Sequence, residues 1–113
     1  MLGADKNISD DIAKKLTESI KNGNAKDFKE IMGAYGSREM AWNSGAPKAM
    51  IDALELKGNK SERDLFLKDK LEIKDNDSRE KILKFFEDPN KKALHNDTNK
   101  KELMSLMNSG RSG

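Results

Sequence analysis

Apolar residues along this chain recur at intervals of three and four, separated by short stretches rich in Gly, Asn, Asp and Ser. Ile12, Leu16 and Ile20 fall at i, i+4 and i+8 and make one helical stripe. Ser9 stands before them as a helix cap, with Asp10 and Asp11 in a first turn whose dipole favours anions. Lys21-Asn22-Gly23 stops the stripe, and Gly23 can take the left-handed conformation that ends a helix. Asn24 caps a second helix with Phe28, Ile31, Met32 and Tyr35 on its buried face, and Gly36 ends it. Ser37 opens a short third helix carrying Met40, Ala41 and Trp42, which Asn43-Ser44-Gly45 breaks. Pro47 fits the first turn of a fourth helix, where its missing N–H costs nothing. Met50, Ile51 and Leu54 form that helix's apolar face, and Gly58-Asn59 closes it.

Ser61 begins the next element, with Leu65, Phe66 and Leu67 adjacent. Leu71 and Ile73 either extend it as helix or follow a break near Asp69. Asp75-Asn76-Asp77-Ser78 reads as a turn and cap before a helix bearing Ile82, Leu83, Phe85 and Phe86, which Pro89 ends. A short piece through Ala93 and Leu94 leads to Asn96-Asp97-Thr98 and a last helix with Leu103, Leu106 and Met107, stopping near Gly110. The pattern predicts an all-α fold: a small irregular helical bundle, or a short α-solenoid of stacked helical hairpins. It forms one domain over residues 1–113, with loose ends at about 1–7 and 109–113.

The solenoid reading comes from a repeat. An apolar residue stands three before a turn position, and a helix stop stands thirteen after it, in four places. These are Ile20/Gly23/Gly36, Trp42/Gly45/Gly58, Ile73/Asn76/Pro89 and Leu94/Asp97/Gly110. The stretch Leu16 to Gly36, LTESIKNGNAKDFKEIMGAYG, resembles the helix–turn–helix of an ankyrin repeat, with an apolar first helix, a tight turn, an aliphatic second helix and a closing Gly. The family's Thr-Pro-Leu-His motif is missing, and the turn spacing of 22 residues falls short of its ~33. What the resemblance implies is a protein-binding surface without catalysis.

Composition narrows the chemistry. Hydrophobic residues make up 35% and charged residues 37% of the 113, with 22 Lys+Arg against 20 Asp+Glu, so the net charge of +2 is small and the periodicity argues for a fold rather than disorder. Val and Gln are absent and only two Thr occur, which disfavours a sheet. Without Cys there is no disulfide scaffold and no thiol nucleophile. With His95 as the lone histidine, zinc would need mostly carboxylate ligands, so neither metal nor cofactor is expected. A solvated loop histidine is the reading for His95. No apolar run approaches the ~20 residues of a membrane helix, and the first residues carry no signal-peptide core. No membrane partner is therefore expected. The Lys- and Asn-rich composition suggests an AT-rich genome, hence a bacterial effector or regulatory fragment working in the cytoplasm or in a host cytosol.

Three further motifs reduce to helix starts or solvated surface. Read as an EF-hand loop, Asp75 onward places Arg79, Glu80 and Phe86 where a ligand, a Gly and a bidentate Glu belong. The sequons at Asn7, Asn59, Asn76 and Asn96 place Ser9, Ser61, Ser78 and Thr98 at expected caps. Lys81, Lys84, Lys91, Lys92, Lys100 and Lys101 crowd the last third and offer a nucleic-acid surface, but acids interleave with them and the chain has only four Arg. The large aromatics are the sharper signal. A single helix face cannot bury adjacent Phe85 and Phe86 equally, and Trp42 lies in a short helix with few neighbours. At least one of Trp42, Phe85 and Phe86 is expected to be partly exposed in a partner-binding patch. The expected function is a non-catalytic helical protein–protein interaction module; the alternative is a small nucleic-acid-binding regulator using the C-terminal lysines.

Overall fold

The polar breaks in the pattern become helix ends. The computed structural model describes residues 2–110, with side chains from Ser9 onward. Over these residues the chain is helix and short connection, without strand: α1 (Leu2–Asn22), α2 (Ala25–Tyr35), α3 (Glu39–Trp42), α4 (Ala46–Glu55), α5 (Lys60–Leu65), α6 (Asn76–Glu87), α7 (Pro89–Lys92) and α8 (Asp97–Gly110). The fold is an all-α bundle.

Short Asn and Asp side chains do most of the capping. Asn24, Asn59 and Asp75 accept from the backbone N–H groups of Asp27, Glu62 and Ser78. Asp88 and Asn96 do the same for Asn90 and Asn99. This corrects the sequon reading. At Asn59 and Asn96 the Asn itself is the cap, while Ser61 and Thr98 already lie inside their helices. Ser78 is likewise inside α6, capped by Asp75. Ser9 is interior to α1, which begins at Leu2 rather than after Ser9. Pro47 occupies the first turn of α4 as expected.

Asp75 receives two hydrogen bonds from one residue, the Ser78 hydroxyl at 2.7 Å and the Ser78 N–H at 2.9 Å. They hold its carboxyl below the ordinary value of 3.8. A carboxyl lowered on folding adds stability that is fully present above its unfolded value and is lost as pH falls through the folded one. We expect the first turn of α6 to fray once the pH drops below 3.8, and Asp75→Asn to remove that acid-side loss. Backbone amide shifts of residues 76–79, followed by NMR against pH, check this.

The hairpin of α1 and α2 turns on Gly23, whose φ of 67° lies in the left-handed region. The Asn24 N–H reaches back to the Ser19 carbonyl at 2.8 Å. A Cβ on Gly23 would sit 3.1 Å from Cβ of Lys70, because a π-helical turn, Phe66–Lys70, seats on this bend. That wide turn settles the stretch where continued helix and a break were both open. The helix ends there, and Leu71 and Ile73 enter the core from non-helical backbone, with the Ile73 N–H bonded to the Leu67 carbonyl. Glu72 between them has φ of 55°, and its carboxylate pairs with Lys29 of α2 at 3.1 Å.

One core runs through the molecule, with Leu16, Ile20, Phe28, Met32, Met50, Leu54, Leu67, Leu71, Ile73, Ile82 and Leu103 fully buried. α1 packs on both α2 and α4, α6 packs on α5, α7 and α8, and α3 spans α1 and α8. The helices thus do not stack in chain order, and the packing gives no sign of ankyrin-like repeats. Residues 2–7 continue α1, and Ser109-Gly110 complete α8. Gly110 is buried against the Ile73 and Ser78 side chains, which leave no room for a Cβ. The remainder of the expected loose ends, Met1 and residues 111–113, lies outside the described residues.

Candidate functional site

On α1, Ile12, Lys15, Ser19 and Asn22 recur at three and four and form a second stripe beside the core stripe of Leu16 and Ile20. On α2, Asp27, Glu30, Ile31, Ala34 and Tyr35 do the same beside Phe28 and Met32. The tight turn at Gly23 brings these two stripes to face each other across a groove of about 570 Å³. Its floor sets Ile12, Ile31 and Tyr35, partly exposed, and the exposed Ala34 beside the buried Ser19. Its rim carries Lys15, Glu18, Asp27 and Glu30, all exposed. Arg38 stands over the Tyr35 ring, 5.3 Å from its centroid. Ile31 and Tyr35 were expected on the buried face of α2. A helix presents only a limited stripe to the core, and Phe28 and Met32 fill it, leaving Ile31 and Tyr35 turned into the groove.

The sequence-predicted aromatics divide. Trp42, on α3, packs against the core and stays partly exposed. Phe85 and Phe86 are only 2% and 6% exposed, so of the three aromatics expected in a docking patch Trp42 is the one left partly exposed. α6 is covered from more than one side, by α5, α7 and α8, so both rings are buried despite leaving the helix about 100° apart. Cations close over them: Arg63 and Lys92 lie 4.7 and 4.8 Å from the Phe86 centroid, and Lys91 lies 5.9 Å from that of Phe85.

Four of the six candidate lysines are engaged with carboxylates. Lys91 pairs with Glu102 at 2.9 Å, a contact that raises its pKa, and Lys92 pairs with Glu55. Lys84 lies 3.6 Å from Glu80 and Lys100 lies 4.0 Å from Asp97. Lys81 and Lys101 are exposed on α6 and α8. His95 is exposed between α7 and α8. Among the described residues no group of three or more His, Asp or Glu side chains is arranged to hold a metal ion, and no helix is long and apolar enough to cross a membrane.

No family model, curated protein or solved structure matches this chain. What the groove does is therefore read from its own side chains. One residue that sequence reasoning missed is Arg79 of α6, 5% exposed. Its Nε donates to Asp64 at 2.9 Å, Nη1 to the Ile73 carbonyl at 2.8 Å, and Nη2 to the Asn76 side chain. Nothing in the local pattern marks it, because the carbonyl that draws it inward belongs to Ile73, in the non-helical stretch between the π turn and α6.

Proposed function

We propose that this chain is a non-catalytic protein-interaction module that docks a partner protein in the groove between α1 and α2. The observation that carries the reading is the partly exposed apolar floor of Ile12, Ile31 and Tyr35 inside a charged rim. An apolar centre ringed by polar side chains is the anatomy of a protein-binding surface, where the ring excludes water from the central contacts. The hairpin is rigidly set, since the Gly23 turn, the π turn seated on it and the Lys29–Glu72 pair all fix α2 relative to the body. Such preorganisation limits the ordering cost of binding. The Lys- and Asn-rich composition supports placing this activity in a bacterial cytoplasm, or in a host cytosol after delivery.

The test is selection of a phage-displayed peptide library on the full chain. Selected binders should lose about tenfold or more in affinity against Ile31→Lys, the loss expected of a central contact. A circular dichroism melt confirms that the variant remains folded. Binders indifferent to Ile31→Lys would count against the groove. Tight binding of duplex DNA, falling steeply with salt and lost in Lys81→Ala/Lys101→Ala, would replace the proposal with the nucleic-acid reading.

A further inference from the structure

We infer that the element the groove takes is a basic amphipathic α-helix, an inference that rests on the docking function proposed above and adds the chemistry of the guest. Charge argues first. The chain carries a net +2, yet the groove's lining sets Lys15 against Glu18, Asp27 and Glu30. Several carboxylates elsewhere are neutralised by cations, as in Lys29–Glu72, Arg79–Asp64, Lys91–Glu102 and Lys92–Glu55. Glu18 and Glu30 make no ion pair with any described residue and stand exposed on the rim. An approaching cationic segment meets an attractive field there, and a polyanion such as nucleic acid meets a repulsive one.

Shape argues for a helix. The groove's α1 wall runs from Ile12 to Asn22, about 15 Å at 1.5 Å per residue, or roughly three helical turns. Both walls are α-helices with their main-chain groups already bonded, so an extended guest would find no sheet edge for its backbone. A helix satisfies its own backbone and presents an apolar stripe at i, i+3/i+4 and i+7 to Ile12, Ile31 and Tyr35. The small exposed side chain of Ala34 leaves room for it to settle. Lys or Arg residues flanking that stripe then reach Glu18 and Glu30. A second copy of this chain does not supply the guest from its lysine-rich helices, since α6 and α8 bury Ile82, Phe85, Leu103 and Met107 in their own core.

The experiment is NMR titration of the full, isotope-labelled chain with three designed peptides of about 14 residues. They share one Leu stripe and carry Lys, Glu or Ser on the polar face. The Lys peptide should shift the Ile12 and Ile31 methyls and the Tyr35 ring, and its affinity should fall with added salt. Glu18→Lys/Glu30→Lys should weaken it about tenfold or more while leaving the melting temperature unchanged. If the Ser or Glu peptide moves Ile31 and Tyr35 and the Lys peptide does not, the charge inference falls and the docking groove stands. If the Lys peptide binds indifferently to the double reversal, or perturbs residues elsewhere, the inference is overturned. If none of the three moves the floor, the inference and the groove reading fall together. Concentration-dependent shifts of Ile31 and Tyr35 without peptide make a second copy the occupant and overturn the inference as well.

Discussion

Phe28→Ala lowers the free energy of unfolding by about 3–5 kcal/mol, the cost of emptying a fully buried aromatic site. Phe28 is 0% exposed and belongs to the same core cluster as Leu16, Ile20 and Met32 across the α1–α2 hairpin. A domain of this size holds only about 0.05–0.15 kcal/mol of stability per residue, so the loss takes a large fraction of the total. Urea denaturation with an unchanged m-value is the measurement. Phe28→Leu keeps most of the volume and should cost about 1–2 kcal/mol, which separates a cavity from a generally intolerant site. The same cavity loosens α2 against α1, so Phe28→Ala should also weaken the docking proposed at Ile31 and Tyr35 next door. An unchanged melting temperature for Phe28→Ala would overturn the hairpin's place in the core.

Arg79→Met costs about 2–3 kcal/mol, chiefly because the Ile73 carbonyl loses its charged donor in a buried site. Met retains the apolar stem, so packing is held nearly constant. The Coulombic part is smaller, since the Asp64 side chain is 39% exposed and returns to water readily. That reasoning fixes an order. Arg79→Lys should cost less than Arg79→Met but remain destabilising, because one ammonium cannot serve acceptors on Asp64, Ile73 and Asn76 in the geometry of a guanidinium. Asp64→Asn should cost least, because the remaining bonds of Arg79 persist. Amide exchange should rise at Leu71 and Ile73 in Arg79→Met, as the segment after the π turn loses its anchor. If Asp64→Asn proves the most damaging of the three, the ion pair rather than the carbonyl bond holds the segment.

The groove and Arg79 show how differently two parts of one molecule were written in the chain. Local physics was legible. Three- and four-residue spacing marked the helices, and Asn24 and Pro47 announced their starts, since an Asx side chain or a Pro ring acts within one helical turn. Gly23 announced the sharp turn for the same reason. The caps that moved by a residue or two, from Ser61 to Asn59 and from Thr98 to Asn96, moved because two competent capping side chains stood close together and the longer helix won.

Exposure was not legible, because the spacing of residues on one helix says nothing about what lies against it. Phe85 and Phe86 are core because α5, α7 and α8 surround α6 and cations cover the rings, whereas Ile31 and Tyr35, on an equally apolar stripe, face a groove because Phe28 and Met32 fill the space beneath α2. Arg79 is buried where the non-helical connection before α6 offers it the Ile73 carbonyl. The sequence by itself determined that the described residues are helical without strand, roughly where the helices fall, and which residues share a face. Only the tertiary structure decided which faces are covered, because coverage comes from helices distant in the chain, and the uncovered remainder is where a partner can bind.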